Sequence, residues 1–227
     1  MDVHMEEALE IPTTIPKRYG RIARWYDRFT DYETRQHLEA VRLVGMDPRS
    51  RVLDVACGTG RGLAALSARL EPNVERYGVD LTPGMLERAR TRMTRLGLNG
   101  VTDLSVANAS QLPFPDGQFD VVYSGYFFDL VKIDEMPRAI GEMRRVLKPG
   151  GTLVLVNMSK NTVTRTRYEH WYSAGRLGVF SGGCRPVIMG SMVREAGFAV
   201  LQRHYRENRS IFFLNRMFGT EILIARW

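Results

Sequence analysis

The chain has 227 residues and is 44% hydrophobic, enough for one well-buried core and short for two ordinary domains. No stretch reaches the roughly 18 apolar residues of a membrane span, and the acidic start MDVHMEEALEIP lacks a leader-like apolar core, so a soluble, cytoplasmic protein is expected. The net charge of +7 sits in the last third: residues 157 to 227 carry 11 Lys/Arg against 4 Asp/Glu, whereas the first 156 are balanced at 21 and 21.

After a polar beginning, apolar residues at Ile22, Trp25, Tyr26 and Phe29, then at Leu38, Val41 and Val44, predict two helical pieces. RVLDVA is a short buried strand, and GRGLAALSARL has helical spacing through Leu63, Leu66 and Leu70. RYGVDL (76 to 81) is a second strand; Thr82 as N-cap and Pro83 open a helix through Met85, Leu86, Ala89, Met93 and Leu96, closed by Gly97. VTDLSVANA reads as a third strand and FDVVYSG as a fourth. DEMPRAIGEMRRVLKPGG reads as a helix stopped by Pro149 and two glycines, and TLVLVNMS as a fifth strand. A loop from Lys160 to Met189 should lie over the sheet; a short helix GSMVREAG follows, then strands in FAVLQRHYRE and MFGTEILIARW.

Strands alternating with helices imply an α/β, doubly wound, mostly parallel seven-stranded sheet, with the last two strands as an antiparallel C-terminal edge pair. A single domain is expected, divided into an N-terminal helical lid (1–47), a ligand-binding core (48–158) and a substrate loop with the C-terminal strands (159–227).

Ligands of such sheets sit beyond the carboxyl ends of the strands, beside the first one, which places RVLDVACGTGRG at the site. A dinucleotide fingerprint would need its third glycine where Leu63 stands, and a phosphate loop would need a lysine that is absent. What remains is acid-x-small-x-Gly-x-Gly: Asp54, Ala56, Gly58 and Gly60. An acid at the strand end disfavours phosphate and suits an ammonium group and hydroxyls. The two cysteines, Cys57 and Cys184, are too few for a disulfide framework or a zinc knuckle, and no metal site is expected.

This pattern resembles motif I of the class I S-adenosylmethionine-dependent methyltransferases, a family of Rossmann-like fold. RYGVDL, ANASQLPFPDGQFDVV and EMRRVLKPGGTLVLVNMS are similar to its next segments, so that the resemblance runs over residues 18 to 158. IARWYDRFTDY and RVLKPGGTLVLVNMS look most like the ubiquinone/menaquinone C-methyltransferase group. Two departures stand out: Asn108 where that family has Asp, and Phe128-Asp129 where the quinone enzymes tend to carry Arg-Asn.

The resemblance implies S-adenosyl-L-methionine as cofactor and S-adenosyl-L-homocysteine as product. It puts Asp54, Ala56, Gly58, Gly60, Asp80, Leu81, Met85, Asn108, Ala109 and Ser124 around the cofactor, with Tyr19 and Tyr26 in a lid. Tyr126, Phe127, Cys184 and Arg185 become candidates for the acceptor side, and Tyr126 and His170 candidates for catalysis; His170, between aromatics, has an equally good structural reading. The implied chemistry is SN2 methyl transfer to a small or amphipathic acceptor such as a quinone, a phenol or another metabolite.

Other readings stay open. A phospholipid N-methyltransferase of the phosphatidylethanolamine type would use the basic tail with Trp171, Phe180, Phe212 and Phe213 against an anionic membrane. A non-catalytic binding module is a second alternative. No nucleic-acid partner is expected, because YSGYFF stands where amino-directed nucleic-acid enzymes carry an Asn/Asp-Pro-Pro-aromatic turn.

Overall fold

The computed structural model describes residues 31–159, 186–208 and 218–227. A seven-stranded sheet runs through them in the spatial order β3-β2-β1-β4-β5-β7-β6. The strands are β1 (Val52–Val55), β2 (Arg76–Asp80), β3 (Thr102–Val106), β4 (Phe119–Gly125), β5 (Leu147–Ser159), β6 (Ala199–Asn208) and β7 (Phe218–Arg226). The first five pair in parallel; β7 lies antiparallel between β5 and β6. Order reverses at β1 and β4, so the crevice between their carboxyl ends is where this topology leaves room for a ligand.

Among the described residues five helices cover the sheet: α1 (Asp31–Val44), α2 (Arg61–Ser67), α3 (Pro83–Arg95), α4 (Met136–Val146) and α5 (Gly190–Glu195). Ala40 and Val41 of α1, Leu63 and Leu66 of α2 and Met93 of α3 pack with Val52, Val121, Val154 and Ile222 on one face. Ile140 and Met143 of α4 and Val193 of α5 pack with Leu53, Val122, Leu155 and Leu223 on the other. Alternate residues of β5 and β7 therefore serve opposite cores, which is why these strands read as continuous apolar runs.

Three expectations need correction. The helix read through KPGG stops at Val146, and Leu147 already pairs with Phe119 as the start of β5. A residue before proline avoids helical backbone, so Lys148 extends the strand. In VTDLSVANA the strand is confined to Thr102–Val106, after a 3-10 turn at Asn99–Val101. Finally, Leu38 is 52% exposed, while Glu33 and His37 are buried beside Ala40 and Val41. The inward face of α1 is half polar because its partners are polar, as described below. The first helical piece (residues 22–29) and most of the loop before Met189 lie outside the described residues.

Candidate functional site

Three left-handed residues within five, Ala56 (φ 59), Gly58 (φ 53) and Gly60 (φ 79), fold the chain back from β1 into α2. At Gly58 an added Cβ would meet nothing within 4 Å, so this residue presents bare backbone to the crevice. Gly60 works differently: a Cβ there would stand 3.1 Å from that of Ala89, so its role is contact between the turn and α3.

Asp80 ends β2 and ties the turn in place. Its Oδ2 accepts the Gly58 amide at 2.9 Å and its Oδ1 the Thr82 amide at 2.8 Å. The Thr82 side chain donates to the same carboxylate, which still leaves it room to accept a further donor. Burial raises the pKa of this carboxyl above its ordinary value, against the Thr82 and Gly58 amides and the Thr82 side chain, which favour the ionised form.

Asp54 is 1% exposed, and its Oδ2 has no hydrogen-bond partner among the described residues. Burial pushes this carboxyl well above the usual range; the Leu63 amide relieves it partly and the charge of Asp80 adds to it. An orphaned buried acceptor is costly, roughly 1–3 kcal/mol or more for a charged group, and it points to a cationic or donor ligand.

Both acids line a cavity of about 400 Å³. Ala56, Gly58, Leu81 and Met85 form one part of its wall, Asn108 and Ala109 another, and Tyr126, Phe127, Leu130 and Val131 the part beyond β4. Asn108 Oδ1 accepts the Ser110 amide at 2.9 Å, so the side chain's remaining capacity for a ligand lies mainly in its Nδ2 donors. Tyr126 has an unusual left-handed backbone (φ 55) directly after β4, and its hydroxyl meets the Thr220 hydroxyl at 3.1 Å. Burial and the charge of Glu33 push its phenol up, so Tyr126 is a wall residue with a proton to give rather than a base.

Gly60 and Ser124 are absent from the cavity wall. Ser124 is fully buried, and its hydroxyl donates to the Val55 carbonyl at 2.9 Å; it joins β4 to β1 beneath the site. Phe128 and Asp129, the departure from the quinone enzymes, also face inward, with Asp129 Oδ2 accepting the Met158 amide at 3.0 Å. Tyr19, Tyr26, His170, Cys184 and Arg185 lie outside the described residues, as do Trp171, Phe180, Phe212 and Phe213. Of the basic tail, Arg203 is paired with Glu221 and Arg206 with Glu39. No helix of the described residues is long and apolar enough to cross a membrane.

The sequence reading missed a polar corner of the cavity. His37 and Glu33, one turn apart on α1, line it together with Arg61 at the start of α2; Glu33 and Arg61 approach to 4.0 Å. The available signal was a polar pair at helical spacing, Glu33 and His37, in line with Ala40 and Val41.

Comparison with known proteins agrees with this architecture. Residues 52–151 match the family model of a methyltransferase domain. The chain is 35% identical over 147 residues to the demethylmenaquinone methyltransferase of Symbiobacterium thermophilum, covering 63% of this chain and 58% of that one. It is 33% identical over 175 residues to the 2-phytyl-1,4-naphtoquinone methyltransferase of Trichormus variabilis, covering 71% and 75%. The match thus spans between about half and three quarters of the curated relatives' length. In fold it is similar to a SAM-dependent methyltransferase from Aquifex aeolicus, with a TM-score of 0.64 at 19% identity, over 93% of this chain and 97% of that one. The chain belongs to the class I S-adenosylmethionine-dependent methyltransferases, with relatives of the ubiquinone/menaquinone C-methyltransferase type.

Proposed function

We propose that the protein transfers a methyl group from S-adenosylmethionine to a small, largely apolar aromatic acceptor carrying an oxygen, of quinone or phenol type. One observation carries the cofactor assignment: Asp54, whose buried Oδ2 has no partner among the described residues, lines the same cavity as Asp80, whose carboxylate retains accepting capacity. An ammonium group satisfies the first carboxylate and a ribose diol the second. The residues present therefore fit an aminoacyl nucleoside.

When bound, the cofactor supplies a methyl group already activated on a sulfonium. The chain's own work is then placement. Asp54 takes the ammonium group, Asp80 the ribose hydroxyls, and Gly58 allows close approach of the turn. Leu81, Met85, Asn108 and Ala109, which line the same cavity, would hold the base. Tyr126, Phe127, Leu130 and Val131 shape an apolar place for the acceptor and exclude water. Alignment of two reactants can supply roughly 7–11 kcal/mol, so no nucleophile or metal cluster is required of the protein. The quinone-type acceptor is supported by the relatives' names and by this aromatic and aliphatic wall.

Calorimetric titration with S-adenosylmethionine and S-adenosylhomocysteine, with NAD as control, tests the cofactor. Micromolar binding of the sulfur compounds that Asp80→Ala weakens at least tenfold is expected; binding of NAD alone, or of neither class, ends the proposal. Methyl transfer to a reduced naphthoquinone, and not to phosphatidylethanolamine in vesicles, is the expected acceptor result. The reverse pattern assigns the phospholipid reading, in which the basic tail meets an anionic membrane.

A further inference from the structure

His37 has surroundings that the cofactor assignment does not use. It is 5% exposed and lines the cavity, and its Nδ1 lies 2.5 Å from the Tyr123 hydroxyl. Its ring sits 5.8 Å from those of both Tyr123 and Tyr126, edge-on to the latter. Room for it exists only because residue 125 is glycine: a Cβ there would stand 2.6 Å from His37 Cε1. Three residues at the end of β4, Tyr123, Gly125 and Tyr126, thus surround one imidazole from α1.

The hydrogen bonding fixes which ring nitrogen carries the proton. Tyr123 is fully buried, and burial holds its phenol protonated. Were Nδ1 the donor, the Tyr123 O–H would be left without an acceptor among the described residues; with the phenol as donor, both groups are satisfied. The proton then resides on Nε2, the nitrogen left for a cavity ligand. Burial first, then Arg61 and Arg92, lowers the His37 pKa to about 3, so the ring stays neutral with Glu33, Asp54 and Tyr126 as its other polar neighbours in the site. A neutral imidazole fixed in one tautomer is a hydrogen-bond donor rather than a base.

We propose that His37 is an acceptor-binding residue whose Nε2–H donates to an anionic oxygen of the methyl acceptor, selecting hydroxylated aromatic rings in their ionised form. This deepens the methyl-transfer reading and rests on it. The oxygen's proton leaves to solvent before binding, so no protein base is needed at His37.

The test uses the full chain with S-adenosylhomocysteine present and 4-nitrophenol as probe, whose ionised form is coloured. Wild-type protein is expected to bind the ionised probe in preference to the neutral one. His37→Leu should lose about 10- to 100-fold of affinity for the ionised form, the range for a hydrogen bond to a charged group, while S-adenosylhomocysteine binding stays within twofold. His37→Gln, which restores an N–H, should recover part of the preference. Tyr123→Phe, which frees the tautomer but keeps the ring, should lose part of it. These last two variants decide the matter if His37→Leu fails to fold. Equal preference in all proteins, no uptake of probe by wild type, or loss of S-adenosylhomocysteine affinity with probe binding intact would each overturn the role; the last assigns His37 to the cofactor instead. Failure of wild type to bind S-adenosylhomocysteine is the separate result that removes the methyl-transfer reading and this role with it.

Discussion

At the scale of single residues, Asp54 is an acid held almost wholly out of water. Its carboxyl is raised from an ordinary value of 3.8 chiefly by burial, so the folded state holds its proton to higher pH than the unfolded chain does. Below about pH 4 both states are protonated and the residue is neutral in its effect. As pH rises from there through the raised value, the unfolded chain ionises freely and the folded one does not, and stability is lost over that window. Asp54→Asn should therefore raise the melting temperature of the ligand-free protein at pH 8 and change it little near pH 4. The same variant should weaken S-adenosylmethionine binding by tenfold or more, because an amide offers the ammonium group no charge. A melting temperature shift independent of pH would show that Asp54 is already solvated or paired. Asp54 and Asp80 were legible in the sequence because strand-end acids beside glycines form a pattern. His37 was not, since a histidine on a helix becomes informative only when Tyr123 and Gly125, far along the chain, are seen beside it.

At the scale of elements, α1 is held by more than the apolar pair Ala40 and Val41: its buried His37 also reaches the end of β4. Leu38, apolar and at helical spacing, points outward, whereas Glu33 and His37 point in. Periodicity read from hydrophobicity alone misses such a face, because buried polar residues are stable only with partners that the sequence does not place. Gly125→Ala tests this docking. The new Cβ would meet His37 Cε1 at 2.6 Å and Nδ1 at 3.1 Å, and the ring is hemmed in by Tyr123 and Tyr126. Overpacking of this kind costs about 1–3 kcal/mol. In a chain of this size each kcal/mol is worth roughly 2–4 °C, so thermal unfolding should show a fall of several degrees. An unchanged melting temperature would mean that α1 yields without loss. Strand boundaries show the opposite balance: β1, β2 and β4 were legible within a residue or two, while β5 began earlier than expected because the turn at Pro149 belongs to the sheet.

At the scale of the whole molecule, the question is what the last two strands contribute beyond the stretch that matches the methyltransferase family model. That match ends at residue 151, yet β7 inserts between β5 and β6 and carries Ile222, Leu223, Ile224 and Ala225, all at most 3% exposed, into both cores. The chain end is tied down as well: the Gly150 amide donates to the Trp227 carbonyl at 2.7 Å, and the Arg144 guanidinium lies 4.9 Å from the Trp227 ring centroid. Burying three large aliphatic side chains contributes about 1.5–3 kcal/mol each, roughly 5–9 kcal/mol together. A domain's total stability is about 5–15 kcal/mol. Loss of β7 would also expose the full edge of β5 to water or to another chain. A chain truncated after residue 217 should consequently show no cooperative thermal transition, should aggregate, and should bind no S-adenosylhomocysteine although Asp54, Asp80 and the glycine turn are all retained. A cooperative transition at the full-length temperature would instead make β1 to β5 the folding unit and leave the antiparallel pair as an accessory, a result the buried residues of β7 argue against.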